Sequence, residues 1–112
     1  MRKLFDNLIF TRMDIKFITP KQINKYANNY DWQIVQILPI DKWRENHILY
    51  ATHLAPINFL NDFKEFINKN KNIILFGDWR RNVRYYRKLK HEGYKVCLLK
   101  QKGEDLWKDK IL

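Results

Sequence analysis

The chain has 112 residues, about one ordinary domain, and its 46% hydrophobic and 15% aromatic content is enough to bury a core. Lys and Arg number 22 against 12 Asp and Glu, and the net charge of +10 attracts phosphate backbones and acidic surfaces ahead of any specific contact. A lone cysteine excludes a disulfide framework and a four-thiolate zinc site, and an apolar run such as Ile73 to Phe76 is far too short to span a bilayer.

In chain order, a first strand is predicted over 14–19. Thr19, Pro20 and Gln22 then form a helix start, with Thr19 as N-cap, Pro20 at the first helical position and Gln22 three residues after the cap. Ile23, Tyr26, Ala27 and Tyr30 follow at helical spacing as one apolar stripe. Residues 32–38 are rich in β-branched side chains and end at Pro39, the pattern of a second strand. A polar loop over 41–46 leads to a third strand over 47–53. Pro56 opens a second helix whose Ile57, Leu60, Phe63 and Ile67 share a face, with Phe59 and Phe66 beside it. A buried strand over 73–76 closes at Gly77, and Asp78 caps a third helix over 79–92 that Gly93 stops. A last strand over 94–100 and a terminal helix over 104–112 complete the chain.

The order β-α-β-β-α-β-α-β predicts an α+β domain over 1–112, a ferredoxin-like βαββαβ core with an appended αβ unit. The basic opening Met1-Arg2-Lys3 is followed by an apolar stretch that Asp6 and Asn7 interrupt, which is not a secretory signal. A cytoplasmic protein with no membrane partner is the expectation.

The third helix carries the sharpest pattern. Trp79, Val83, Tyr86 and Leu89 fall on one side, while Arg80, Arg84, Arg87 and His91 line the opposite one, flanked by Arg81 and Lys88. Any packed helix exposes a charged face, but ordinary faces mix signs because like charges four residues apart repel. From Trp79 to Lys102, by contrast, nine cations accompany one acid, Glu92. Arginine suits bidentate phosphate and guanine contacts. Trp32, Phe59, Phe63, Phe66 and Tyr86 sit at core-facing spacings; Trp43, Tyr85 and Trp107 do not. Trp43, between Lys42 and Arg44, is the candidate for stacking on a base.

Catalytic motifs are missing. No His-x-His, paired-cysteine or His-Glu-x-x-His spacing occurs, and His47 and His53 are too far apart on a strand to chelate. Tyr85 and Lys88 have the Tyr-x-x-Lys spacing of replication-initiator nickases without their histidine pair. Asp78 stands where a metal-dependent nuclease has its first acid, but no converging carboxylates have diagnostic spacing, and capping accounts for it. The expectation is a chain that is not an enzyme and binds no metal or cofactor.

In layout, residues 48–107 resemble the late-gene transcription activator family of small short-tailed Bacillus phages. The resemblance rests on the strand before His53, the helix with Phe59, Leu60 and Phe63, and the strand over 73–76. The helix with Tyr85 and Tyr86, then Gly93 and Tyr94, completes it. It implies a viral DNA-binding regulator that dimerises and contacts RNA polymerase. The residues before 48 depart from that family's pattern, and no functional residue is carried over.

The expected function is nucleic-acid binding, DNA ahead of RNA, as an accessory or transcription-regulatory protein. Arg80, Arg81, Arg84, Arg87, Lys88, His91, Lys95 and Trp43 are the candidate contacts. The alternative is an interaction protein that docks its basic face on an acidic host protein; a metal-dependent nuclease is the third reading.

Overall fold

The central strands are buried on both faces, with alternate side chains entering different cores. The computed structural model describes residues 15–45, 47–48 and 50–101. Val35 and Ile37, Ile73 and Leu75, and Val96 and Leu98 enter one core; Ile34, Ile74, Phe76, Cys97 and Leu99 enter another. Strands that bury both faces need cover on both, as a parallel sheet with helical crossovers provides.

The sheet is five-stranded in the order β1-β5-β4-β2-β3, with every pairing parallel. The strands are β1 Phe17–Ile18, β2 Trp32–Ile37, β3 Thr52–Leu54, β4 Asn72–Phe76 and β5 Lys95–Leu99. The helices are α1 Ile23–Tyr26, α2 Ile40–Glu45, α3 Phe59–Phe66 and α4 Trp79–His91, with 3-10 turns at Pro20–Gln22 and Pro56–Asn58 leading into α1 and α3. Phe59 and Phe63 of α3 and Tyr85, Tyr86 and Leu89 of α4 cover one face, while Ile23 of α1 and Ile48 cover the other.

The ferredoxin-like expectation is corrected by this parallel sheet. The divergence lies between β2 and β3. Residues 41–46 are expected as a loop from their polarity, yet the Ile40–Glu45 segment is helical, with Asp41 in its first turn and Lys42 and Arg44 in its last. A connection of that length is a crossover, so β3 can lie parallel beside β2, with Val35 opposite Thr52. The strand expected over 47–53 shortens to Thr52–Leu54 because Tyr50 has φ 68, outside extended backbone.

Other expectations can be placed residue by residue. The Thr19 N–H donates to Gln22 Oε1 at 2.9 Å, the reach-back half of a capping box. Since α1 ends at Tyr26, Tyr30 leaves the expected stripe and lies exposed under the Lys71 ammonium, 4.5 Å from the ring centroid. On α3 the buried face is Phe59, Phe63 and Ile67; Ile57 is 89% and Leu60 70% exposed, and Phe66 also faces out. The 3-10 turn explains the shift: Ile57 precedes the α-helix proper, so the helical period starts at Phe59. Asp14 and the terminal helix expected over 104–112, with Trp107, lie outside the described residues.

Candidate nucleic-acid interface

Helix α4 begins where β4 ends. Gly77, buried at φ 126, turns the chain in a conformation open to glycine, and Asp78 then caps the helix by accepting the Arg80 N–H at 3.0 Å. The Trp79 N–H donates to the Gln101 carbonyl at 2.9 Å, so the first donors of the helix are satisfied within the fold. From this carboxyl edge of the sheet α4 runs back to the amino edge, 13 residues or about 20 Å at ~1.5 Å per residue.

The inner face packs through Tyr85, Tyr86 and Leu89, with Trp79 and Val83 partly buried beside them. Tyr85, expected outside the core, belongs to it: its ring lies 4.7 Å from that of Phe59. Asn82 is also fully buried; its Nδ2 donates to the Phe76 carbonyl at 3.3 Å, and its Oδ1 has no hydrogen-bond partner among the described residues. Tyr86 Oη accepts the Lys16 N–H at 3.0 Å, tying α4 to the segment before β1.

The outer face carries Arg80, Arg84, Arg87 and His91, all exposed, with Arg81 and Lys88 half-buried at its margins. Acids stand at the two ends. Asp78 binds Arg80 in a fork, Nε to Oδ1 at 3.0 Å and Nη2 to Oδ2 at 2.6 Å. Glu92 meets Lys88 at 3.1 Å, and that hydrogen bond and charge hold its carboxyl below the usual range. The cations of the last turn, Lys88, Lys90 and His91, suit the negative end of the helix dipole. Neither relation accounts for Arg84 and Arg87 at mid-helix. Among the described residues no ion pair involves either; Arg84 lies 6.0 Å over the Tyr85 ring.

Arg81 points elsewhere. Its Nη1 donates to the Ile37 carbonyl at the end of β2. The chain leaves β4 toward β5 and leaves β2 toward β3 on the opposite side, so the order reverses between β4 and β2. Such a reversal opens the crevice where parallel sheets bind ligands, and Arg81 reaches across it.

The other candidates separate. Lys95 starts β5 at the amino edge, away from the beginning of α4. Trp43 is on α2 rather than in a loop, and its ring stacks with His47 at 3.9 Å and with His53 at 4.7 Å. His53 Nε2 donates to the Leu38 carbonyl and His47 Nδ1 to the Trp43 carbonyl, each at 2.7 Å. Trp43 is therefore occupied by packing, and sequence reasoning missed the pair of histidines holding it. The signal was there: His47 lies four residues beyond Trp43, the spacing of one helical face.

Cys97 is buried within β5, where its Sγ donates to the Ile73 carbonyl at 3.6 Å and burial raises its pKa to about 11. Among the described residues no three His, Cys, Asp or Glu side chains converge as metal ligands, and no helix is long and apolar enough to cross a membrane.

The arrangement defines an all-parallel, helix-covered sheet with a basic helix rising from its switch point. No protein-family model matches the chain, and no curated protein matches it. Solved structures share the fold. One is a variant of EanB in complex with hercynine, at TM-score 0.63 and 21% identity over 77% of this chain; the chain spans only 24% of that one. Another is the 30 kDa polysulfide-sulfur transferase homodimer from Wolinella succinogenes, solved in solution. There the TM-score is 0.68 and the identity 16%, over 95% of this chain and 82% of that one. At these identities the likeness is one of fold. It nevertheless corrects the expectation that the chain is not an enzyme, which rested on missing motifs: a protein of the same architecture is a sulfur transferase.

Proposed function

We propose that the chain binds nucleic acid, DNA ahead of RNA, through the exposed face of α4, and serves as an accessory or regulatory factor. One observation carries the reading. Arg84 and Arg87 stand exposed at mid-helix, without an acid paired to either among the described residues, between Arg80 and His91. Like charges at this spacing disfavour the helix unless an anion lies across them, and two guanidinium forks one turn apart match successive phosphates. The sulfur transfer named for the Wolinella protein is less well supported here. A thiolate is the reactive form of cysteine, and Cys97, the one cysteine of the chain, is buried with its pKa raised to about 11.

The test is electrophoretic mobility shift with duplex DNA, single-stranded DNA and RNA across a salt series, for the wild type and for Arg84→Ala/Arg87→Ala. On duplex DNA the log-log salt slope should become shallower by about 0.9 for each phosphate that the variant no longer neutralises. Unchanged affinity and slope in the double variant would remove α4 from the interface.

A further inference from the structure

Two large apolar side chains around the start of α3, Ile57 and Leu60, are not used by the core. Leu60 lines a groove of about 280 Å³ together with Pro56, Phe59, Arg84, Tyr85 and Lys88. Its floor is aromatic, since Phe59 and Tyr85 meet there, and its α4 wall is cationic. None of the six lining side chains is acidic, and Lys88 draws its own acid, Glu92, from the next turn of α4. Ile57, next in the chain to Pro56 of the groove, is 89% exposed. An apolar floor and rim beside a guanidinium calls for an occupant that is apolar on one side and negative on the other.

We propose that this groove is a docking site for an acidic amphipathic segment of a partner protein, which seats an apolar side chain over Phe59 and Tyr85 and sets carboxylates against Arg84. Charge chooses the occupant. A second copy of the chain, itself at +10, would bring Arg84 and Lys88 toward other cations. Nucleic acid satisfies Arg84 but leaves Leu60 in water. An acidic helix with leucines on one face satisfies both, in the manner of helix-in-groove recognition. The inference goes beyond the nucleic-acid reading: it shares Arg84 with that reading and adds the apolar Leu60, Phe59 and Tyr85.

The probe is a fluorescein-labelled peptide of about 16 residues with glutamates on one helical face and leucines on the other, followed by fluorescence polarisation. A control peptide keeps the glutamates and replaces the leucines by serine; a duplex DNA of about 20 base pairs, enough for several phosphate contacts, is the third ligand. The leucine peptide should bind at least about tenfold more tightly than the serine peptide. Ile57→Ser/Leu60→Ser should remove about tenfold of that affinity and leave DNA binding within about twofold. Both positions are exposed, so the melting temperature should hold. Equal binding of the two peptides, no binding of the leucine peptide, or an unchanged affinity in the double variant would each overturn the proposal. So would an equal loss of DNA binding, which would make the groove part of a nucleic-acid surface. Failure of the wild type to bind DNA at all would count against the nucleic-acid reading and leave the peptide result standing.

Discussion

Phe59 and Tyr85 meet with their ring centroids 4.7 Å apart and their planes tilted by 52°, and this contact sets which sides of α3 and α4 face inward. With Phe59 turned in, Phe63 follows one turn later, stacked on it at 5.3 Å, and Ile57 and Leu60 are left outside. With Tyr85 turned in, Arg84 lies along the rim of the groove between the two helices.

Stability should therefore divide sharply along α3. Phe63→Ala removes a buried ring that also meets Tyr94, and should cost roughly 3–5 kcal/mol. Leu60→Ser, at an exposed position, should stay within about 0.5 kcal/mol of the wild type. Urea denaturation of the two variants decides it; the opposite order would mean that α3 is rotated from the face described.

The arginines of α4 should not contribute alike to nucleic-acid binding. Arg80 is held in a fork by Asp78, whereas Arg84 and Arg87 have no ion pair among the described residues. Arg80→Ala should thus weaken DNA binding less than Arg84→Ala or Arg87→Ala at the same salt, because an anion must compete with Asp78 for the first. A mobility-shift series in which Arg80→Ala is the most damaging of the three would contradict this.

Asp78 caps α4 through a side-chain oxygen, and asparagine offers an oxygen in the same place. Asp78→Asn should lose little through the cap, while Asp78→Ala should cost about 1 kcal/mol. Thermal melts of both variants check the difference; equal destabilisation by Asn and Ala would shift the role of Asp78 from the cap to its charge on Arg80.

Cys97 should be inert in the folded chain. Burial raises its pKa from 9.0 to about 11, more than the Lys16 charge lowers it, so at neutral pH the thiol is protonated and shielded. Alkylation by iodoacetamide should be slow in native buffer and become rapid in denaturant. The linkage has a definite sign. A thiol whose pKa is raised on folding contributes stability that is present below the ordinary thiol value and is lost as pH rises through about 11. Melts between pH 8 and pH 11 should show a decline on the alkaline side that is smaller in Cys97→Ala, the remainder coming from groups such as Tyr94, whose pKa burial also raises. Rapid native labelling would place the sulfur at the surface.

Much was legible in the sequence because it depends on neighbours along the chain. The β-branched and apolar runs that became β2, β4 and β5, the reach-back of Gln22 to Thr19, the cap at Asp78 and the stop at Gly93, with φ 92, are local matters of composition and backbone preference. The exposure of Arg80, Arg84, Arg87 and His91 belongs with them, since a helical period that buries Tyr86 and Leu89 must turn the arginines out. Strand order and direction were not local. A helix of six residues between β2 and β3, in a stretch as polar as a loop, decided whether β3 pairs parallel or antiparallel, and with it the whole topology. Tertiary packing also made choices that periodicity does not: Phe59 rather than Leu60 into the core, Tyr85 into the core beside Tyr86, and His47 and His53 onto Trp43. Which aromatic is buried depends on what ring stands opposite it, and for Phe59 and Tyr85 that partner lies on another helix, tens of residues away along the chain.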